Sequence, residues 1–396
     1  MAATFSVSQT SSIALNLKKY GSPLSKSLPK PYIESFQLQN TKKSPPPPPK
    51  NFPQTKTVPG SSFNFNKSSF LSRINTLNKP PKVSASTETV VEEKLVEADK
   101  LAVSLIRLLP EKIQPYAYLA RLHRPIGAVL IAWPCIWAIA LAAEPGSLPD
   151  WKMVALFSLV AFWTKNIACT INDYFDKDFD SQVERTKGRP IASGAITGLQ
   201  ALIFLGIQLV LGFAFLQPVN QLSRLLWVSW LPLIFTYPLM KRVTFWPQAH
   251  LGFSANWGVL CSWAAIRGSL QPAIVFPLLI GCFFWMLIID TIYAHEDKTD
   301  DVKAGVKSTA LFLGDSTKLW NIVFGVASIA SFALSGFNAN IGWPFYALML
   351  PAAAQFAWQI WTVDLDNPAD CDRKFRSNEY FGAIVFIAIL FGKLFS

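Results

Sequence analysis

Long apolar stretches recur from residue 125 to the end of the chain, and short polar segments separate them. A helix needs about 20 predominantly apolar residues to cross a bilayer. Nine stretches come close to this length, at residues 125–143, 151–171, 199–217, 222–240, 246–266, 272–292, 318–337, 341–363 and 378–395. The pattern predicts an all-α, multi-pass integral membrane protein, a bundle of about nine transmembrane helices in a lipid bilayer.

Composition agrees with a membrane setting. Hydrophobic residues make up 51% of the chain and charged residues 15%, which is typical of a multi-span protein. The formal net charge of +11 would by itself suggest a nucleic-acid partner. However, residues 1–87 contain twelve Lys or Arg and a single acid, Glu34, whereas bases and acids balance over residues 88–396. The excess charge belongs to the leader, so we expect no nucleic-acid partner.

The leader, residues 1–87, is basic and rich in Ser, Thr, Pro and Asn. This composition is typical of a disordered organellar transit peptide. Because Lys far outnumbers Arg and many hydroxyl residues follow the start of the chain, a plastid is favoured over the mitochondrial inner membrane. Residues 88–114 are expected to be a linker with an amphipathic segment on the membrane surface, and residues 115–396 the transmembrane domain.

Two acidic clusters stand at the ends of the second and sixth apolar stretches, at residues 172–180 and 290–301. Carboxylates next to the apolar part of a bilayer are costly and mark a functional site. An even number of crossings separates the two stretches, so both clusters should emerge on the same face of the membrane. Each cluster precedes a basic loop, at 185–190 and 303–309. This recurrence predicts two pseudo-repeated halves around a central cavity.

The spacing of the acids indicates metal binding. Asn172, Asp176 and Asp180 are four residues apart and share one helix face. The second cluster repeats every three or four residues, at Asp290, Tyr293, Asp297 and Asp301. Sets of oxygen ligands favour Mg²⁺, which binds a couple of carboxylates together with substrate phosphates. The predicted metal ligands are Asn172, Asp176, Asp180, Asp290, Asp297 and Asp301. The predicted diphosphate ligands are Arg185, Lys187, Arg189, Lys303 and Lys307.

Other interpretations of the acids account for less of the sequence. Acids at helix ends are often simply solvated. A divalent-cation transporter would place its carboxylates near the middle of its helices, and the basic loops would have no role. An alcohol phosphatidyltransferase would carry an Asp-Gly-x-x-Ala-Arg motif, which is absent. A third acidic segment, 364–374, lacks the helical spacing and is expected to be a solvated connection.

Several motifs together resemble the UbiA-type intramembrane aromatic prenyltransferases, and within them the 4-hydroxybenzoate enzymes. The resemblance extends over residues 115–396. It rests on residues 121–127, the first acidic cluster with residues 185–194, residues 237–242, residues 256–258 and residues 290–311.

The resemblance implies a reaction. The aspartate motifs would bind Mg²⁺ and an isoprenoid diphosphate, whose ionisation gives an allylic cation that attacks a phenolic acid ortho to its hydroxyl. The implied catalytic residues are Asp176, Asp180, Asp290, Asp297 and Tyr293. The implied cations for the acceptor carboxylate are Arg121, Lys241 and Arg242.

The sequence differs at several positions from what is expected of the prenyltransferases of ubiquinone biosynthesis, so the identity of the two substrates stays open. Lys165 and Asn166 lie inside the second stretch, Tyr174-Phe175 lies within the first motif, and Ile289 precedes the second. These features admit an alternative, a specialised enzyme that prenylates a hydroxycinnamate or another phenolic acid with dimethylallyl or geranyl diphosphate.

Overall fold

The computed structural model describes residues 98–183 and 185–396, and every regular element in these residues is helical. The all-α prediction is confirmed. The predicted transit peptide, residues 1–87, lies outside the described residues. Of the predicted linker, residues 98–107 form a helical segment, and its position at a membrane surface stays a prediction.

The helices are numbered here in chain order after residues 98–107. They are α1 (Gln114–Leu119), α2 (Ile126–Ala142), α3 (Trp151–Asp180), α4 (Gly198–Phe215), α5 (Gln221–Val243), α6 (Pro247–Asn256), α7 (Gly258–Arg267), α8 (Pro272–Ala294), α9 (Lys298–Ala304), α10 (Thr309–Leu313), α11 (Thr317–Asn338), α12 (Trp343–Thr362), α13 (Pro368–Arg376) and α14 (Asn378–Leu394).

Each predicted apolar stretch falls on a helix, and the fifth is divided between α6 and α7. The Asn256 amide donates to the carbonyl of Gly252 at 2.6 Å and to that of Cys282 at 3.1 Å, so it competes with the helix for a backbone acceptor where α6 ends. Five helical segments in the described residues are long and apolar enough to cross a membrane: Trp151–Asp180, Gly198–Phe215, Pro272–Ala294, Thr309–Asn338 and Pro368–Leu394. The number of nine crossings stays a prediction.

Helix α3 carries the first acidic cluster beyond the apolar core. It begins at Asp150, whose carboxylate accepts from the backbone amides of Lys152 at 2.9 Å and Met153 at 3.2 Å. Its 30 residues span about 45 Å, whereas a bilayer's hydrocarbon core is about 30 Å thick. Hydropathy predicted residues 151–171 because it detects only the apolar part, and the spacing of Asn172, Asp176 and Asp180 indicated that the helix continues through the polar turns, as it does.

Helix α2 lies at the centre of the bundle and contributes to both large apolar clusters of the protein. One cluster joins it to α3, α4, α5 and α7, and the other joins it to α7, α8 and α11–α14. The indole nitrogen of Trp137 donates to the carbonyl of Gly382 at 2.9 Å, and its ring centroid lies 5.1 Å from that of Trp285. The two clusters share α2 and α7, and the two pseudo-repeated halves stay a prediction.

Candidate active site

The two acidic clusters meet at one cavity of about 390 Å³, lined by the C-terminal turns of α3 and α8. Most of the predicted site residues line it. They are Arg121, Asn172, Asp176, Asp180, Arg185, Arg189, Lys241, Arg242, Asp290, Tyr293, Asp297, Asp301 and Lys307. Lys187 and Lys303 do not line the cavity; both are exposed, and Lys303 pairs with Asp300 at 3.1 Å.

Arginines neutralise the most buried acid of the first cluster. Asp173 is almost fully buried, and its Oδ1 accepts from Arg121 at 2.8 Å and from Arg189 at 3.3 Å. Arg189 also donates to Asp180 at 2.7 Å. Because buried charges are tolerated only when paired, these contacts fold the basic loop that follows α3 back onto the acids.

The end of α5 completes the first cluster. Lys241 Nζ donates to Asp176 Oδ2 at 2.8 Å and to Asn172 Oδ1 at 3.2 Å. Arg242 donates to the carbonyl of Phe175 at 2.9 Å, and its guanidinium lies 4.8 Å from the centre of the Phe179 ring. Both predicted acceptor-binding cations of α5 are thus engaged by α3.

The second cluster is linked through a bidentate ion pair to the basic loop that follows the first. Arg185 donates from Nε to Asp297 Oδ1 at 2.7 Å and from Nη2 to Asp297 Oδ2. Burial raises the pKa of the Asp301 carboxyl to about 6, and the Asp297 carboxylate acts in the same direction. Asp290 lines the cavity and makes no ion pair within 4 Å with another described residue, and Lys241 is near enough to interact with it electrostatically.

The donor set fits Mg²⁺ bound together with a substrate. Within residues 98–183 and 185–396, no three His, Cys, Asp or Glu side chains are grouped closely enough to hold a metal alone. Mg²⁺ needs no such cage, because it commonly takes one or two carboxylates and completes its shell with water and phosphate oxygens. Asn172, Asp176 and Asp290 present oxygen donors of this kind to the cavity.

The inner end of the cavity is apolar. Ala168, Ile234 and Met286 line it, and each lies one or two helical turns before a polar site residue of its helix. Leu130 and Ile131 of α2 continue this wall. A polar mouth above an apolar pocket suits a ligand with a charged head and a hydrocarbon tail.

Tyr293 stands where the polar and apolar parts meet. Its ring centroid lies 4.7 Å from that of Phe375, and Arg124 donates to its hydroxyl at 3.4 Å. Phe375 belongs to α13, which occupies most of the segment that was expected to be a solvated connection. That expectation was wrong because the acids of α13 pair locally, as in Asp372 with Arg376 at 2.7 Å, and its other face packs on the bundle.

The sequence analysis gave no role to two polar residues of the cavity wall. Lys165 lies inside the apolar part of α3, and a lysine within a membrane stretch was the signal that could have identified it. Gln248 accepts from the backbone amide of Thr309 at 3.0 Å and so connects α6 to α10. A glutamine at the start of a helix carries no comparable signal.

Comparison with known proteins yields consistent similarities. The model of the UbiA prenyltransferase family matches residues 131–390. The chain is 56% identical to a protein of Arabidopsis thaliana named "4-hydroxybenzoate polyprenyltransferase, mitochondrial", over 72% of this chain and 70% of that one. It is 53% identical to "4-hydroxybenzoate geranyltransferase 2" of Lithospermum erythrorhizon, over 72% of this chain and 93% of that one.

Solved structures share the fold. A UbiA homologue from Aeropyrum pernix K1 superimposes with a TM-score of 0.55 at 20% identity, over 66% of this chain and 96% of that one. A UbiA homologue from Archaeoglobus fulgidus bound to GPP and Mg²⁺ gives a TM-score of 0.54 at 18% identity, over 70% of this chain and 98% of that one.

Proposed function

Because the chain belongs to the UbiA prenyltransferase family, we propose that it moves a prenyl group from an isoprenoid diphosphate to a phenolic acid of the 4-hydroxybenzoate type. The new bond forms at the ring carbon ortho to the hydroxyl, with Mg²⁺ as cofactor. The names of the relatives from Arabidopsis thaliana and Lithospermum erythrorhizon support this acceptor class. One structural observation carries the proposal: both acidic clusters and an apolar wall meet at one cavity.

The polar mouth binds the diphosphate in this proposal. The Mg²⁺ ligands would be drawn from Asn172, Asp176, Asp180, Asp290, Asp297 and Asp301, and Mg²⁺ held there would stabilise negative charge on the leaving diphosphate. Arg185 and Arg189 present forked donors suited to phosphate oxygens, and Lys307 adds a point charge at the same rim. Lys187 and Lys303 lie outside the cavity wall, so the proposal assigns diphosphate binding to Arg185, Arg189 and Lys307.

The reaction follows from these positions. The bond between the first prenyl carbon and the diphosphate oxygen breaks, and its electron pair leaves with the oxygen. The allylic cation is stabilised by the aromatic faces of the wall, which include Tyr237 and Phe375. The ortho carbon of the phenol attacks it, and the proton lost from that carbon goes to the diphosphate or to a carboxylate. Of the two neighbours assigned to this proton, the Asp297 carboxylate could accept it, whereas the Tyr293 hydroxyl could only relay it to a base.

Arg121, Lys241 and Arg242 all line the cavity, as an acceptor-binding role requires. Arg121 binds Asp173, Lys241 binds Asp176, and Arg242 binds the carbonyl of Phe175. Their proposed contribution therefore includes holding the first acidic cluster in place.

We propose that the protein works in an organellar membrane, and that the organelle is a plastid. The acid-poor, Lys-rich leader of residues 1–87 supports this location. The Arabidopsis thaliana relative is named as mitochondrial, so the alternative is the mitochondrial inner membrane.

The proposal is tested by expressing the full chain in a host that lacks its own enzyme of this type and assaying its membranes with Mg²⁺. A grid of acceptors and donors identifies the substrates: 4-hydroxybenzoate, hydroxycinnamates and homogentisate against dimethylallyl, geranyl and longer diphosphates. We expect transfer to 4-hydroxybenzoate. Transfer to a hydroxycinnamate alone would favour the specialised enzyme. No product from any pair, with the protein shown to be inserted and folded, would refute prenyl transfer.

A further inference from the structure

Residues 98–107 form a helical segment that precedes residues 131–390, the part of the chain that the family model matches. One side of this segment packs on the protein. Ile106 is 3% exposed, and Asp99 and Val103, which lie on the same helix face, are partly buried. The segment is therefore held against the bundle, and the proposed reaction gives it no role.

An ion pair joins this segment to α13. Arg376 donates from Nη2 to Asp99 Oδ2 at 2.8 Å and from Nε to Asp372 Oδ2 at 2.7 Å. The Arg376 side chain is only 11% exposed, and a buried charge is tolerated when it is paired. Asp372 belongs to α13 itself, whereas Asp99 is 277 positions away from Arg376 in the chain. The pair with Asp99 thus ties α13 to a distant part of the chain.

The residue before Arg376 lines the cavity. Phe375 packs on Tyr293 with their ring centroids 4.7 Å apart, and both residues belong to the cavity wall. Because Phe375 and Arg376 are neighbours in the last turn of α13, a shift of Arg376 also moves Phe375. Asp99 therefore acts on the cavity through α13, although it does not line the cavity itself.

A second neighbour of Tyr293 lies close to the same segment. Arg124, in the turn that precedes α2, donates to the Tyr293 hydroxyl at 3.4 Å. In the same turn, burial and neighbouring cations lower the pKa of His123 to about 4, and the nearby Asp99 carboxylate acts in the opposite direction. Asp99 thus pairs with α13 and lies near this turn, and both of these elements contact Tyr293.

The wall at Tyr293 has a specific task in the proposed reaction, because the allylic cation reacts with water as well as with a phenol. Once the bond to the diphosphate oxygen has broken, the oxygen of a water molecule can bond to the first prenyl carbon and lose a proton to the diphosphate or to solvent. The product is then a prenyl alcohol, and the acceptor stays unmodified. A closed wall excludes water and limits this side reaction.

We propose that Asp99 is a positioning residue that, through Arg376, holds Phe375 against Tyr293 and so keeps water from the allylic cation. This inference rests on the proposed function and deepens it, because it gives a role in prenyl transfer to a segment outside the acidic clusters. Asp99 and Arg376 are not placed at the reacting atoms, and both act through Phe375.

The test substitutes Asp99 and leaves Arg376 in place, since Arg376 also binds Asp372 and its loss would unpair a second acid. Asp99→Asn removes the charge, and Asp99→Glu keeps it. Glu111→Gln is the matched control, because Glu111 is an exposed acid that follows the segment closely in the chain. Membranes with each full-length variant receive Mg²⁺ and the donor and acceptor that the unsubstituted chain uses, and both the prenylated acid and the prenyl alcohol are quantified.

We expect Asp99→Asn to raise the ratio of prenyl alcohol to prenylated acid by about threefold or more, since a hydrogen bond between charged, partly exposed groups is lost. Asp99→Glu and Glu111→Gln should keep the ratio of the unsubstituted chain. A merely structural role for Asp99 would lower both products together and leave their ratio unchanged. That result would overturn the proposal.

A second measurement needs no turnover. Cys169 lines the cavity and is partly exposed, whereas the other four cysteines of the chain are buried. The full chain in detergent is treated with a charged, water-soluble maleimide, and peptide mass spectrometry follows the labelling of each cysteine. Asp99→Asn should label about threefold faster at Cys169 alone. An unchanged rate at Cys169, or faster labelling of all five cysteines, would contradict the proposal.

The two measurements separate this inference from the proposed function. Absence of product from every pair of substrates would refute prenyl transfer, and the labelling of Cys169 would still report whether Asp99 closes the cavity. An active chain whose alcohol ratio and Cys169 labelling both survive Asp99→Asn would keep the function and remove the inference.

Discussion

Lys241 Nζ donates a hydrogen bond of 2.8 Å to Asp176 Oδ2 and so connects the last turn of α5 to the first acidic cluster on α3. Asp176 is buried, and the ammonium neutralises it. In the proposed function, Mg²⁺ would give this carboxylate a second partner, and the carboxylate of the acceptor would give one to the lysine. The ion pair thus holds the two groups together at the mouth of the cavity.

This account predicts that Asp176→Asn lowers prenyl transfer by about 100-fold or more, because an anionic ligand of the metal that stabilises the leaving diphosphate is lost. Rates are measured in membranes with saturating Mg²⁺ and both substrates. The matched control is Asp178→Asn on the same helix, since Asp178 is exposed and does not line the cavity. If both variants kept their activity, the assignment of the first cluster to metal and diphosphate would be wrong.

Arg185 supplies a second prediction. It pairs with Asp297, and it is expected to bind the diphosphate in the proposed function. Arg185→Gln should raise the KM for the prenyl diphosphate and lower kcat, together by about 100-fold in kcat/KM, with the KM for the acceptor unchanged. Lys187→Gln is the matched control in the same loop, because Lys187 is exposed and lies outside the cavity wall. A larger loss with Lys187→Gln would reverse the roles proposed for the two cations.

A third prediction concerns the packing of α2 against α14. A Cβ at Gly382 would lie 2.2 Å from Cδ1 of Trp133, a rigid indole, so the two helices are in contact only because this residue has no side chain. Gly382→Ala should lower stability by about 1–3 kcal/mol, as overpacked cores do. Thermal unfolding in detergent measures the effect. Gly206→Ala, with no other side chain or distant backbone atom within 4 Å, should leave stability unchanged or raise it slightly. An equal change in stability for the two alanine variants would contradict the close contact between Gly382 and Trp133.

The leader supplies a fourth prediction. A fusion of residues 1–87 to a fluorescent protein should enter plastids in plant cells, because the segment is basic, hydroxyl-rich and almost free of acids. The control fusion carries residues 98–396 without the leader and should not reach the plastid. Exclusive import into mitochondria would contradict the plastid location and agree with the name of the Arabidopsis thaliana relative.

Sequence patterns predicted the bundle well, for a physical reason. A membrane helix must satisfy its own backbone hydrogen bonds, so a long apolar stretch leaves few alternatives to a helix. Hydropathy stops where the apolar residues stop, however. Residues 151–171 were predicted for a helix that continues through the acids to Asp180. The division of the fifth stretch at Asn256 depends on hydrogen bonds that hydropathy does not represent.

The sequence predicted most residues of the site, but it did not predict which bases and acids contact each other. The spacing of Asn172, Asp176 and Asp180 identifies one helix face, and the number of crossings indicates that both clusters share one side of the membrane. Neither pattern reports which base contacts which acid. Lys241 was assigned to the acceptor, yet it binds Asp176, 65 positions away in the chain. Such distant ion pairs depend on how helices pack, which local periodicity does not encode.

The central claim is that the cavity joins a prenyl carbon to the ring of a phenolic acid. It is tested most directly by incubating membranes that contain the full chain with 4-hydroxybenzoate, geranyl diphosphate and Mg²⁺, and determining the product by mass spectrometry and NMR. The account predicts a product with the prenyl group on the carbon ortho to the hydroxyl, formed with Mg²⁺ and abolished by EDTA. A product prenylated on oxygen, or the same yield in the presence of EDTA, would contradict it.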